Sequence, residues 1–111
     1  MSERVDIDLG DGHTLQFTSW RPDRALNPQY QDLPDVERIG AIVRHRRPNG
    51  DVCESGIMFD CEATRRGFPD RPRWVVQSWE PLTLAPSLLC DPAKGGCGDH
   101  GWIKQGRWQR A

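Results

Sequence analysis

Pro48-Asn49-Gly50 constrains this chain more than any other three residues. Proline suits the first position of a tight turn, asparagine the second and glycine a left-handed third. That order predicts a three-residue hairpin loop closed by a bulge. The flanking runs then pair in one register. Arg47 faces Asp51, His45 faces Cys53, Val43 faces Ser55, Ala41 faces Ile57 and Ile39 faces Phe59. A slip of one residue would turn every side chain to the wrong face. In this register Ile39, Ala41, Val43, Ile57 and Phe59 share an apolar face. His45 and Cys53 sit side by side at its turn-proximal end.

The other segments are also short and punctuated by turns. Val5, Ile7 and Leu9 alternate with acids before Gly10-Asp11-Gly12, and Leu15 and Phe17 alternate after it, which predicts a first hairpin. His13, beside that turn, is expected at the surface. Three prolines between Arg21 and Arg38 leave room for one helical turn near Pro28–Asp32. Cys61–Pro72 reads as a loop, with Cys61 an idle or buried thiol, and Arg73–Trp79 as a strand. Pro81–Leu89 carries Pro81 and Pro86, which suits an extended crossing or an edge strand. Gly101–Trp108 reads as a last hairpin turning at Gln105-Gly106. The predicted class is all-β: a small antiparallel sandwich or partly open barrel built of hairpins, with a zinc-knuckle-like C-terminal segment. The 111 residues form one domain, 1–111. With only 36% hydrophobic residues the core must be small, and five tryptophans supply much of it. Trp74 and Trp102 are expected inside, and Trp108 is the tryptophan expected to be most exposed.

Net charge is -1, unevenly placed: Met1–Glu37 holds eight acids and three arginines, and the remainder is mildly basic. No apolar leader is evident over Met1–Gly10, and no window approaches a membrane span. The expected compartment is the cytoplasm, where thiols stay reduced. That favours metal or inert thiol over disulfide for the four cysteines.

Zinc takes about four thiolate or imidazole ligands in a tetrahedron. Cys97-Gly98-Asp99-His100 offers a close pair on a turn, and Cys90 can return to the same ion across a flexible six-residue loop. Cys53, beside the central hairpin turn, is the fourth candidate, with His45 as the alternative ligand. The expected metal site is thus Cys53, Cys90, Cys97 and His100, holding a structural Zn2+ that staples the C-terminal segment to the hairpin. A Cys90–Cys97 disulfide is the rival. No His-Glu-x-x-His helix motif supports a catalytic metal.

The run W-V-V-Q-S-W-E-P-L-T-L-A-P-S-L-L-C, followed by C-G-D-H-G and G-R-W, resembles the C-terminal signature of small uncharacterised proteins of actinobacterial phages. It is also similar to a broader bacterial family of unknown function, with a histidine and cysteines near a hairpin, then P-S and a later C-x2-H. The resemblance spans Ile39 to Trp108. It implies Cys90, Cys97 and His100 as ligands, with Cys53 or His45, and it brings no established activity.

Arg44, Arg46, Arg47, Arg65 and Arg66 lie near aromatics and are candidate contacts to a phosphate backbone. Ser87 lacks the G-x-S-x-G elbow of a hydrolase nucleophile, so a local backbone hydrogen bond is expected of it. The leading expectation is a non-enzymatic phage accessory protein, working in the bacterial host cytoplasm and binding a host or phage protein. A nucleic-acid binder and a metal-dependent hydrolase are the alternatives.

Overall fold

The computed structural model describes residues 4–111, so the first three residues of the N-terminal reading lie outside the described residues. The fold is mostly β. Strands β1 (Ile7–Gly10), β2 (His13–Trp20), β3 (Val36–Arg46) and β4 (Val52–Met58) form one antiparallel sheet in sequence order. Strands β5 (Val75–Trp79) and β6 (Leu82–Ala85) form a second sheet. Strands β7 (Leu88–Leu89), β8 (His100–Lys104) and β9 (Arg107–Arg110) form a third. Among the described residues no sheet closes into a barrel.

The central hairpin has the expected register: Ala41 faces Ile57, Val43 faces Ser55 and His45 faces Cys53. Its turn is closed by the Arg47 N–H to Asp51 O bond at 2.7 Å and the Gly50 N–H to Arg47 O bond at 2.9 Å, with Gly50 at φ +93°. At the far end Phe59 N–H donates to Ile39 O. The Gln105-Gly106 turn forms as read, with both residues at positive φ. It docks on β6 through Gly106 N–H to Leu82 O at 2.8 Å.

Alternation along each strand builds the core. Leu15, Phe17, Ala41, Val43, Ile57 and Phe59 line the inner face of the large sheet. Leu82, Leu84, Leu88, Ile103 and Trp108 cover them from the two smaller sheets.

Three expectations are corrected. Cys61–Pro72 is not all loop: α1 (Glu62–Gly67) forms there, its entry fixed by Cys61 N–H bonded to Thr64 Oγ1 and Thr64 Oγ1–H to Phe59 O. Trp108 is buried, at 9% exposure, because Gly101 across the β8–β9 pair leaves a slot for its ring. A Cβ at Gly101 would stand 2.6 Å from that ring and 2.5 Å from Gln109 O. Gly101→Ala is therefore expected to cost about 3 kcal/mol through displacement of Trp108, read as a lower urea midpoint and shifted tryptophan emission. Finally, His13 is buried rather than at the surface, at 3% exposure. Its ring stacks on Trp108 at 4.1 Å and on His45 at 5.0 Å.

Candidate functional site

The short β7–β8 pair decides what each side chain near the C-terminus can reach. Leu89 lies directly across from His100, and Leu88 across from Gly101. Residues two apart share a face, and diagonal cross-strand neighbours fall within side-chain reach. Leu88, Cys90, Gly101 and Ile103 therefore point inward and are buried. Ser87, Leu89, His100 and Trp102 share the outer face. The two faces carry two different groups of functional side chains.

On the inner face, a His/Cys group forms where β7 meets the central hairpin. His45, Cys53, Cys90 and Cys97 have their ligand atoms within 4.8 Å of one another and could hold a metal ion. His45 Nε2 is 2.9 Å from Cys97 Sγ. The six residues between Cys90 and Cys97 are taken up by a 3-10 turn at Pro92–Lys94, started by Asp91, whose carboxylate accepts from Ala93 N–H at 2.9 Å. Gly95, at φ +85°, ends it. Gly96 then runs so close to the Cys90 carbonyl that an added Cβ would meet it at 2.6 Å. Gly98 N–H donates to Cys90 O at 2.8 Å, and Cys97 N–H points at Cys90 Sγ at 3.4 Å. This is a knuckle that turns two thiols and a backbone N–H toward one point. All four cysteines are free thiols, so the Cys90–Cys97 disulfide does not form.

The thiols are electrostatically tuned. Burial pushes the Cys90 thiol up from its ordinary value. Burial also opposes charge on Cys97, but hydrogen bonds, first from His45 and then from the Asp99 backbone, win and bring it down to about 7. Arg47 Nε donates to Cys53 Sγ at 2.6 Å, which sets a fixed cation beside the sulfurs.

His100, expected as a ligand, is not a member of this group. Strand alternation sends it to the face opposite Cys90, and His45, the alternative ligand, stands with the three cysteines. His100 Nε2 instead lies 2.8 Å from Ser87 Oγ. Its ring is tilted 30° to Trp102 at 5.9 Å. Ser87 is held through its main chain, since its carbonyl accepts from Trp74 Nε1 at 3.2 Å. No side-chain acid hydrogen-bonds to His100 among the described residues. A hydroxyl within reach of an imidazole is the core of a nucleophile–base pair. The sequence reading missed Ser87, because it is joined to His100 by cross-strand pairing rather than by a contiguous motif. The available signal was its position, two residues before a strand partner of His100.

His13 braces both groups. Its Nδ1 is 2.7 Å from Asp11 O and its Nε2 is 2.6 Å from the Asp99 carboxylate, on the loop between Cys97 and His100. His13→Ala leaves a cavity against Trp108 and an unpartnered Asp99. It is expected to cost about 3 kcal/mol, measured by denaturant unfolding.

The five arginines are placed as follows. Arg44 bonds Glu54 at 2.8 Å and Gln16 at 2.9 Å, Arg65 bonds Asp60 at 3.1 Å and Arg66 bonds Asp32 at 2.6 Å. Arg47 turns in to Cys53. Arg46 is exposed and lines an open groove of ≈ 860 Å³ with Asn49, His100 and Arg110.

Among the described residues no helix is long and apolar enough to cross a membrane. No curated protein and no solved structure matches the chain. Residues 40–111 match the family model described as "BubE: Bacterial ubiquitination-like system serine protease". The match supports the bacterial side of the resemblance and carries no link to phage.

Proposed function

Since the chain belongs to the BubE family, we propose that it is a serine protease with Ser87 as nucleophile and His100 as general base. The observation that carries this reading is the 2.8 Å approach of His100 Nε2 to Ser87 Oγ on an exposed sheet face. The family description names a serine protease, and this is a serine already paired with a base. In the reaction, Ser87 Oγ attacks the scissile carbonyl carbon while His100 Nε2 takes the hydroxyl proton. The C–N bond then breaks, and the same proton passes to the leaving nitrogen. Water, deprotonated by His100, hydrolyses the resulting ester and frees Ser87. The substrate class suggested by the family description is a polypeptide of a bacterial ubiquitination-like system. The protein partner expected from the sequence then becomes a substrate.

A metal held by His45, Cys53, Cys90 and Cys97 would support this role structurally. Three thiolates and one imidazole suit zinc by ligand softness and geometry. Four protein ligands leave no open position for a catalytic water, which separates this reading from a metal-dependent hydrolase. With the three thiolates ionised, a zinc ion held there would give a centre of net charge -1, which Arg47 would offset. Holding Cys90 and Cys97 to the central hairpin would fix β7 and β8, and with them the spacing of Ser87 and His100.

The test is covalent labelling. Purified protein treated with an alkyl fluorophosphonate should gain one adduct per chain, mapped to Ser87 by peptide mass spectrometry, and His100→Ala should slow labelling at least about 100-fold. An unlabelled Ser87 in folded, zinc-loaded protein would sink the assignment.

A further inference from the structure

Strand β4 is an edge: β3 pairs with one side of it and, among the described residues, no strand with the other. The register fixes which main-chain groups face outward. Arg47 N–H bonds Asp51 O at one end and Phe59 N–H bonds Ile39 O at the other. The odd-numbered residues from Asp51 to Phe59 therefore exchange bonds with β3, and antiparallel alternation turns the N–H and C=O of Val52, Glu54, Gly56 and Met58 away from it. Met58 O is already used, accepting from Trp74 N–H at 2.8 Å, while Asp60 N–H donates to Trp74 O at 2.8 Å. That parallel bridge stops at Trp74. Among the described residues, the outward groups of Val52, Glu54 and Gly56 have no main-chain partner.

These three residues line a groove of ≈ 1110 Å³ that is also lined by Trp74, Ser87 and Leu89. Gly56 sits at the middle of the edge, and a Cβ built there would meet nothing within 4 Å. A glycine in a strand interior, with open space over it, is where a second backbone can come close. The flanks are apolar and exposed, Val52 at 47% and Leu89 at 52%. Formal charge in the groove is balanced, with Arg47, Arg71 and Lys94 against Glu54, Asp70 and Asp91. Neither a polyanion nor a polycation is favoured there, and what is left unsatisfied is main-chain hydrogen bonding.

We propose that the open edge of β4 is the substrate-binding strand: an extended, uncharged polypeptide segment with apolar side chains adds beside Val52–Gly56 and passes over Ser87. The proposal rests on Ser87 being the nucleophile. Pairing along the five residues Val52–Gly56 covers about 13 Å at ~3.3 Å per step, so roughly five substrate residues are held. Main-chain bonds would supply affinity, and side chains alternating toward Val52, Trp74 and Leu89 would supply selectivity.

The test compares two kinds of probe on the full chain. An alkyl fluorophosphonate needs only Ser87 and His100. Peptidyl diphenyl phosphonates with one, three or five apolar residues also need the strand. The Ser87 labelling rate is expected to rise at least tenfold from one residue to five. N-methylation of alternate amides in the five-residue probe should remove that gain at one parity only. Gly56→Pro deletes an outward N–H without breaking a bond to β3, and should lower the ratio of peptidyl to alkyl labelling at least tenfold. A length-independent rate, or an N-methyl series with no effect on wild-type protein, overturns the strand proposal while alkyl labelling leaves Ser87 standing. Absence of labelling by both probes overturns the nucleophile assignment instead.

Discussion

Ser87→Ala is expected to lower kcat/KM for a cleaved polypeptide by at least about 10³-fold and to leave zinc content at the wild-type level. The stability change should stay within about 1 kcal/mol, since the hydroxyl's partner among the described residues is the exposed His100 ring. His100→Ala should lower kcat/KM by a similar factor, and the double variant should be little worse than either. Residues that act as one unit are non-additive in this way. The prediction is sharp because the molecule offers a second nucleophile-like pair. Cys97 is exposed, its thiol is brought down to about 7, and His45 Nε2 is 2.9 Å away. A cysteine protease would look similar at that point. Two further thiols, Cys53 and Cys90, share the same space, with the ligand atoms of all four residues within 4.8 Å of one another, a grouping that suits a metal. Peptide cleavage that survives Ser87→Ala and disappears on thiol alkylation would reverse the assignment.

The central hairpin was legible because its register depends on three adjacent residues and on nothing distant. Pro48, Asn49 and Gly50 set the turn, and the pairing of His45 with Cys53 follows. The last hairpin was legible for the same reason. Reading went wrong where pairing partners are far apart in sequence. Whether His100 or His45 joins the cysteines depends on which face of β8 His100 occupies, and that depends on β7, two residues long beside Pro86. A strand so short leaves no alternation pattern to read. Ser87 was missed by the same gap, since it meets His100 only across that pair. Trp108 was misplaced because the slot it fills is made by Gly101 and lined by His13, a residue in a different hairpin at the other end of the chain. Helix α1 was missed because its start depends on Thr64 bonding back to Phe59 and Cys61, and not on a strong apolar period.

Removing the metal is the other large effect expected. Purified protein should carry one zinc per chain, and Cys53→Ser, Cys90→Ser or Cys97→Ser should each lose it. An ion that binds only the folded chain stabilises the fold, so each loss is expected to cost about 4 kcal/mol or more, lowering the thermal midpoint by roughly 20 °C in a domain of this size. A strong chelator should do the same to the wild type, reversibly on adding zinc back. Activity should fall with the fold in both cases, because β7 is flanked directly by Ser87 at one end and Cys90 at the other. His45→Ala and His100→Ala then separate the two faces of the β7–β8 pair. The first should lose zinc and stability. The second should keep both and lose only the reaction. If His100→Ala instead releases the metal and His45→Ala retains it, His100 lies on the inner face of β8, and the nucleophile pair falls with that placement.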